Sequence, residues 1–508
     1  MTLSDNAVVP NRIDRRSASA VVGLALVALA DALFYQQPLG VNAFVYAMAV
    51  TAGILFSVPR PATAKVLLLC AVSLIASAPL LEAPSFLGCL NSACGLALVA
   101  LAQSKLVPQR LAGLPPVLYR FALAAPMRLV RDWHRHFAKG ASRHTTAKII
   151  PGLVIWLVPG LFALIFVGLF ALANPVIERA LSAIDLAAVL RFCNPWRIAF
   201  WLLAAAAVWP LLRPRLKRRS KPSPRAEAAG KAIEGLLLGE ATVPRSLLVF
   251  NALFAVQTLL DLLYLWGGAE LPAGMTHAQY AHRGAYPLII TALLAAGFVL
   301  VVMRSDGPGE SNAAVRGLVH AWISQNILLC ISSILRLDLY VEVYSLTELR
   351  VAAGIWMALV AVGLALILLR ILLRRTNEWL IATNLTALAA TLYACALVDI
   401  PALVARFNVV HSRELTGTGI PLDIDYLLTL GPSAIPALDT FIAALASGAA
   451  KSDYRARYSR AGLAADFLES ASGWRGWNYR GQRLHDYLTG HINVATPGEA
   501  DKNYREQF

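Results

Sequence analysis

Apolar blocks of about twenty residues alternate along this chain with shorter polar connections. They predict helices at roughly 18–35, 39–58, 63–81, 85–103, 149–173, 196–212, 245–266, 285–303, 316–336, 351–373 and 379–399. A helix of that length covers the ~30 Å of hydrocarbon in a bilayer. The pattern therefore predicts an all-α fold, a polytopic transmembrane helical bundle of about 11 spans with a small helical extracytoplasmic C-terminal region. The expected organisation is a cytoplasmic N-terminus at 1–17, spans one to four in 18–103 and a cytoplasmic basic interfacial segment at 104–148. Spans five and six follow in 149–212, then a basic linker at 213–244, spans seven to eleven in 245–399, and the helical region at 400–508. The first block ends in the signal-peptide-like "ALADA". It is expected to stay as a span, because another apolar stretch begins within a few residues.

Composition supports the class. The chain is 58% hydrophobic and only 15% charged, with mean hydropathy +0.60. A soluble domain carries about a quarter charged residues. Orientation follows from the basic residues. With the N-terminus inside, the inner segments hold 28 Lys and Arg, the outer connections hold 6 and the tail after 399 holds 11. That asymmetry predicts a cytoplasmic (inner) membrane protein with a cytoplasmic N-terminus, and an odd number of spans then places the tail outside. The apolar stretch 432–450 is the one candidate for a twelfth span, but Asp439 at its centre would cost about 2.5–3.5 kcal/mol.

The formal charge of +15 comes largely from loops such as "RPRLKRRSKPSPR" (213–225). Such runs hold topology and attract the anionic lipid of the inner leaflet, at ~1 kcal/mol per basic residue. Nucleic acid is not an expected partner. Residues 105–147 read as a basic helix resting in the interface, with Tyr119 and Trp133 at headgroup depth. His134 and His136 stand two apart and would diverge on a helix, so no metal is expected there. The six cysteines show no C-x-x-C spacing, and no phosphate-loop, nucleophile-elbow or zinc-peptidase motif occurs. No cofactor is expected.

Charges placed within spans carry more information, because an ionisable group in lipid needs a partner or water. Asp31, Asp261, Arg336, Asp338 and Asp399 all fall in the outer halves of their spans under this topology. Asp261 lies one helical turn after Gln257 and only ~9 Å from the centre of its span. One reading is that these groups snorkel to headgroups or pair locally. The other is that they meet in an outer vestibule covered by residues 404–438, making a ligand-binding cluster with Arg406, Asn408, His411 and Arg413. If Asp261 is structural, Asn should be tolerated there and Leu should be neutral or stabilising.

In the covering segment, "TGTG" (416–419) predicts a turn, and Pro421 precedes a short helix that Gly431 and Pro432 stop. It serves as a structural cap or as a lid over a ligand. Beyond 451 two helices are expected, the first capped by Ser452. The second carries Trp474, Trp477, Leu484 and Leu488 on one stripe with Arg475 and Arg483 away from it, and it either rests in the interface or packs on its neighbour.

Three stretches, "HRGAYPLIITALLAAGFVL" (282–300), "SQNILLCISSILRLDLYVEVYSLTELRVAAGIWM" (324–357) and "RFNVVHSRELTGTGIPLDIDYLLTLGP" (406–432), resemble a family of bacterial multi-span membrane proteins. It is the domain-of-unknown-function family numbered 4173, and "ADALFYQQPLG" (30–40) resembles its N-terminal entry. That resemblance implies an integral membrane protein and supplies no catalytic residues. Three functions are therefore expected, in this order. The first is a non-enzymatic envelope sensor or assembly protein whose outer face meets an envelope protein or a ligand. The second is a transporter or lipid-handling protein. The third is a membrane enzyme acting on a lipid-linked substrate through an acid such as Asp31 or Asp261.

Overall fold

The computed structural model describes residues 15–57, 64–132, 194–216, 242–263, 294, 297–298, 313–445, 450–470 and 473–490. The described residues are helical, with no strand among them. They fall into two compact units, one formed by Met1–Pro84, Cys89–Gln109 and Gly113–Lys217, the other mainly by Arg218–Phe508.

In the first unit α1 (Arg15–Phe34), α2 (Val41–Ser57), α3 (Ala64–Ser77), α5 (Phe86–Gln103) and α7 (Pro195–Leu212) pack together. The core is Leu26, Val50, Ile54, Val99, Ala100, Val208 and Leu212. Small residues let the helices approach closely. A Cβ on Gly95 would stand 2.9 Å from the Ser73 Cα, and the Ser77 and Ser92 hydroxyls meet at 2.8 Å. The expected span 63–81 is interrupted, because α3 ends at Ser77 and a single turn, α4 (Pro79–Glu82), follows. Pro79 has no N–H to continue the ladder and occupies a first-turn position instead. The chain then continues through α6 (Leu114–Ala124), on which Tyr119 is exposed. Trp133, His134 and His136 lie outside the described residues.

The second unit opens with α8 (Thr242–Asp261), α9 (Ala313–Tyr344), α10 (Glu348–Leu372) and α11 (Asn377–Leu397). At 32 residues α9 is about 48 Å long, more than a bilayer core requires. Its buried stripe, Val315, Val319, Trp322, Asn326, Leu329, Ser333 and Arg336, advances in steps of three and four. Trp322 stacks on Phe250 at 5.1 Å and meets Phe254 and Phe298 edge-on. Such a nest fixes the register of α8 against α9.

Among the described residues, six helices are long and apolar enough to cross a membrane: Phe86–Gln103, Pro195–Leu212, Thr242–Asp261, Ala313–Tyr344, Glu348–Leu372 and Asn377–Leu397. The blocks expected at 18–35, 39–58 and 63–81 form shorter apolar helices. Those at 149–173 and 285–303 lie outside the described residues, apart from Leu294, Gly297 and Phe298.

After α11 the elements shorten: α12 (Ile400–Val410), α13 (Arg413–Thr416), α14 (Ile424–Thr429), a 3-10 turn at Gly431–Ala434, α15 (Ile435–Leu445), α16 (Ala450–Ser470), a second 3-10 turn at Trp474–Gly476 and α17 (Tyr479–Gly490). They share a core of Val404, Val409, Leu427, Leu438, Phe441 and Ala456. At 11 residues α15 is about 16 Å long, shorter than the ~30 Å hydrocarbon core. Two details of the expected tail are corrected. Helix α16 already includes Ser452, so that residue is not its cap. Trp474 and Trp477 sit in the turn before α17 and are exposed, whereas Leu484 and Leu488 pack inward, so the four do not form one stripe. The helical phase breaks at Trp477, whose extended backbone (φ −58°, ψ 135°) separates the 3-10 turn from α17.

Candidate functional site

The quoted charges of the second unit resolve into three sets. The deepest is Asp261 with Arg336. Asp261 ends α8, Arg336 lies on the buried stripe of α9, and the two side chains are 1% and 2% exposed. The Arg336 guanidinium donates to Asp261 Oδ1, and the Gln257 amide, one turn earlier on α8, donates to the same oxygen at 2.9 Å. The pair joins two helices through residues 75 positions apart in sequence. A buried pair of this kind is strongly destabilised when one partner is removed, because a charge is then stranded away from water. Leu at 261, expected to be neutral or stabilising if the residue is structural, would by this argument remove the carboxylate that the buried Arg336 guanidinium faces. Asp338 lies two residues further along α9, on another face, and is exposed.

The second set fixes residues 404–438 onto the turn between α9 and α10. The Asn408 side chain accepts from the Leu346 N–H at 2.8 Å and donates to the Leu346 carbonyl at 2.9 Å. The Glu348 N–H donates to the Tyr426 hydroxyl at 3.0 Å. Within the turn, Ser345 has φ 63°. The Arg350 guanidinium donates to the carbonyls of Tyr344, at 2.6 Å, and Ser345, and lies 4.6 Å from the Tyr340 ring centre. A left-handed serine costs free energy, and these surrounding bonds hold it there. From Arg336 to Tyr344 is eight helical residues, about 12 Å, so the clamp lies that far along α9 from the ion pair.

The third set surrounds Asp399. Its carboxylate caps α12 by accepting from the Ala402 N–H at 3.1 Å. It also accepts from Ser433 at 3.0 Å and pairs with Arg480 at 3.3 Å. Arg406, His411 and Arg413 are exposed on the same small domain. The His411 ring stacks on Phe407 at 4.1 Å, and its Nδ1 lies 2.9 Å from the Phe407 carbonyl. The Arg413 N–H donates to the Ile420 carbonyl at 2.8 Å, closing the loop in which Gly417 and Gly419 take positive φ, as "TGTG" predicts. Asp423 caps α14 and Asp425 pairs with Arg455, so these two carboxylates have different partners.

Asp31 belongs to the first unit and has its partners there. It accepts from Arg197 Nε and from Trp201 Nε1, each at 2.9 Å, while the guanidinium stands 5.1 Å from the Tyr35 ring centre. Sequence reasoning counted Arg197 only as a loop charge. Its spacing of 166 residues from Asp31 carries no signal of the pairing. Asp439, weighed in the sequence only as a charge against a further span, sits between Arg460, in a two-point contact at 2.8 and 3.2 Å, and the Tyr487 hydroxyl at 3.0 Å. Burial, followed by the Asp439 carboxylate, pushes the Tyr487 hydroxyl up to about 12.

Residues 64–441 match the family described as Domain of unknown function (DUF4153), well over half of the chain. The chain belongs to that family. The resemblance to the family numbered 4173 is thereby overturned. The three longer stretches that suggested it all fall inside the matched region, whereas "ADALFYQQPLG" (30–40) falls outside it. Spans rich in Leu, Ala and Val satisfy the same solvent in every multi-span protein, so short apolar stretches separate such families poorly. No curated protein and no solved structure matches the chain.

Proposed function

We propose that this family member is a non-enzymatic envelope protein of the cytoplasmic membrane, with the N-terminus inside, about eleven spans and the helical region after Asp399 outside. In this reading the region presents a docking face to an envelope protein or ligand. One observation carries the reading: the domain is clamped to the turn between α9 and α10 through both polar atoms of Asn408, while Arg406, His411 and Arg413 on it stay exposed. Its carboxylates at 399, 423, 425 and 439 are engaged in caps and ion pairs. A rigid cationic face on a spanning base suits recognition. Photocrosslinking from position 406 or 413 in intact cells tests it. One discrete adduct, lost in Arg406→Glu/Arg413→Glu at unchanged protein level, is expected, and no adduct from either position would overturn the reading. A transporter or lipid-handling role is the second reading, favoured by the buried Asp261–Arg336 pair on facing helices. An enzyme on a lipid-linked substrate stands third.

A further inference from the structure

We infer that the turn and first helical residues at 474–483 form a membrane-surface site that engages phospholipid headgroups. The inference is independent of which side of the membrane the domain occupies and of the function proposed above. Three observations lead to it.

Position comes first. Arg480 pairs with Asp399 at 3.3 Å and donates to the Leu397 carbonyl at 3.4 Å. Leu397 is the last residue of α11, which is long and apolar enough to cross a membrane. The start of α17 is thus fastened to the end of a span, the depth at which hydrocarbon gives way to headgroups. Leu397 and Val398 are themselves exposed there.

Chemistry comes second. Trp474, Trp477 and Tyr479, the three aromatics just before that anchor, are 57%, 41% and 51% exposed. Amphipathic rings of this kind concentrate at the membrane–water boundary. Arg475 and Arg483 lie 5.2 and 5.0 Å from the centres of the Trp474 and Tyr479 rings. A planar guanidinium beside an aromatic face matches a phosphate above and acyl chain below.

The third observation is that the three aromatics lie outside the core that α17 builds with the domain. Helix α17 turns Leu484, Tyr487 and Leu488 inward against Ile435 and Ala464. The aromatics lie in the preceding turn and at its first residue, outside that core. Over 473–490 the chain carries three arginines, of which Arg480 is paired with Asp399, and Arg475 and Arg483 stand against one acid, Asp486, which accepts from Gln482 at 2.8 Å. The excess suits anionic headgroup phosphate.

The test uses the full chain with its six cysteines replaced by alanine, in nanodiscs of phosphatidylglycerol and phosphatidylcholine. A spin label at Trp477→Cys is compared with one at Thr418→Cys in the exposed loop, using oxygen as the apolar relaxant and a nickel chelate as the aqueous one. Label 477 should favour oxygen several-fold over label 418. Arg475→Glu/Arg483→Glu should move it most of the way to the loop value, whereas the lysine pair should retain the preference. The inference is overturned if 477 is as open to nickel as 418, if it is shielded from both relaxants as under a protein partner, or if charge reversal leaves the preference unchanged.

Discussion

Replacing Asp261 by Leu should destabilise the protein by about 3–5 kcal/mol, the cost of leaving one member of a buried ion pair without its counter-charge. Asp261 and Arg336 are 1% and 2% exposed, so water cannot reach Arg336 to compensate without local opening. Asp261→Asn should cost less, about 1–3 kcal/mol, because an amide oxygen still accepts from Arg336 and from Gln257 while the charge is lost. Asp261→Leu combined with Arg336→Met removes both charges and should return to within about 1 kcal/mol of the parent or exceed it. The coupling energy between the two sites should then be at least ~3 kcal/mol, more than a hundredfold in the folded ratio at 1.4 kcal/mol per factor of ten. Reversible unfolding of the four proteins in one lipid or detergent, followed by tryptophan fluorescence, measures the cycle. A stable Asp261→Leu protein, or a double variant as unstable as the sum of the singles, would refute the reasoning. The double variant also separates roles. Normal accumulation with an intact phenotype makes the pair structural, and normal accumulation with the phenotype lost assigns it to function.

Other perturbations test other joints. Asn408→Ala removes two bonds to Leu346 and should cost about 1–3 kcal/mol, with faster amide exchange confined first to the turn at 345–347. Tyr487→Phe removes a hydrogen bond to a carboxylate, about 1.5–3 kcal/mol. It should also flatten the alkaline limb of stability. The native hydroxyl at about 12 sits above its ordinary 10, so the parent keeps this contribution below about pH 10 and loses it as pH rises towards 12, as unfolding against pH will show. Gly95→Leu must displace backbone at Ser73 and should lower the accumulation of the full protein, whereas Gly317→Leu, with open space around it, should not. Alkaline phosphatase fused after Gly490 should be active and a fluorescent protein there dark; the opposite pair of results would place the C-terminal region in the cytoplasm.

The sequence by itself determined the solvent class and most element positions. A bilayer demands long apolar helices with their own hydrogen bonds satisfied, and that demand is written locally, residue by residue. The helices at 86–103, 195–212, 348–372 and 377–397 therefore fall within a few residues of the apolar blocks that predict them. Local chemistry likewise announced the loop with Gly417 and Gly419 at positive φ, and the stop at Gly431 and Pro432. Partnership was decided only in three dimensions. Nothing within a few residues of Asp261 names Arg336, 75 positions away, nor of Asp31 names Arg197, because a charge chooses its counter-charge by where two helices cross. The same holds for Asp439, which meets Arg460 and Tyr487 from elements 21 and 48 positions further along the chain. Periodicity also failed at Trp477, where an extended residue breaks the helical phase, so that Trp474 and Trp477 are exposed while Leu484 and Leu488 go in. Apolar patterning records the solvent each segment meets, whereas pairing records which segments meet each other, and only tertiary packing fixes that.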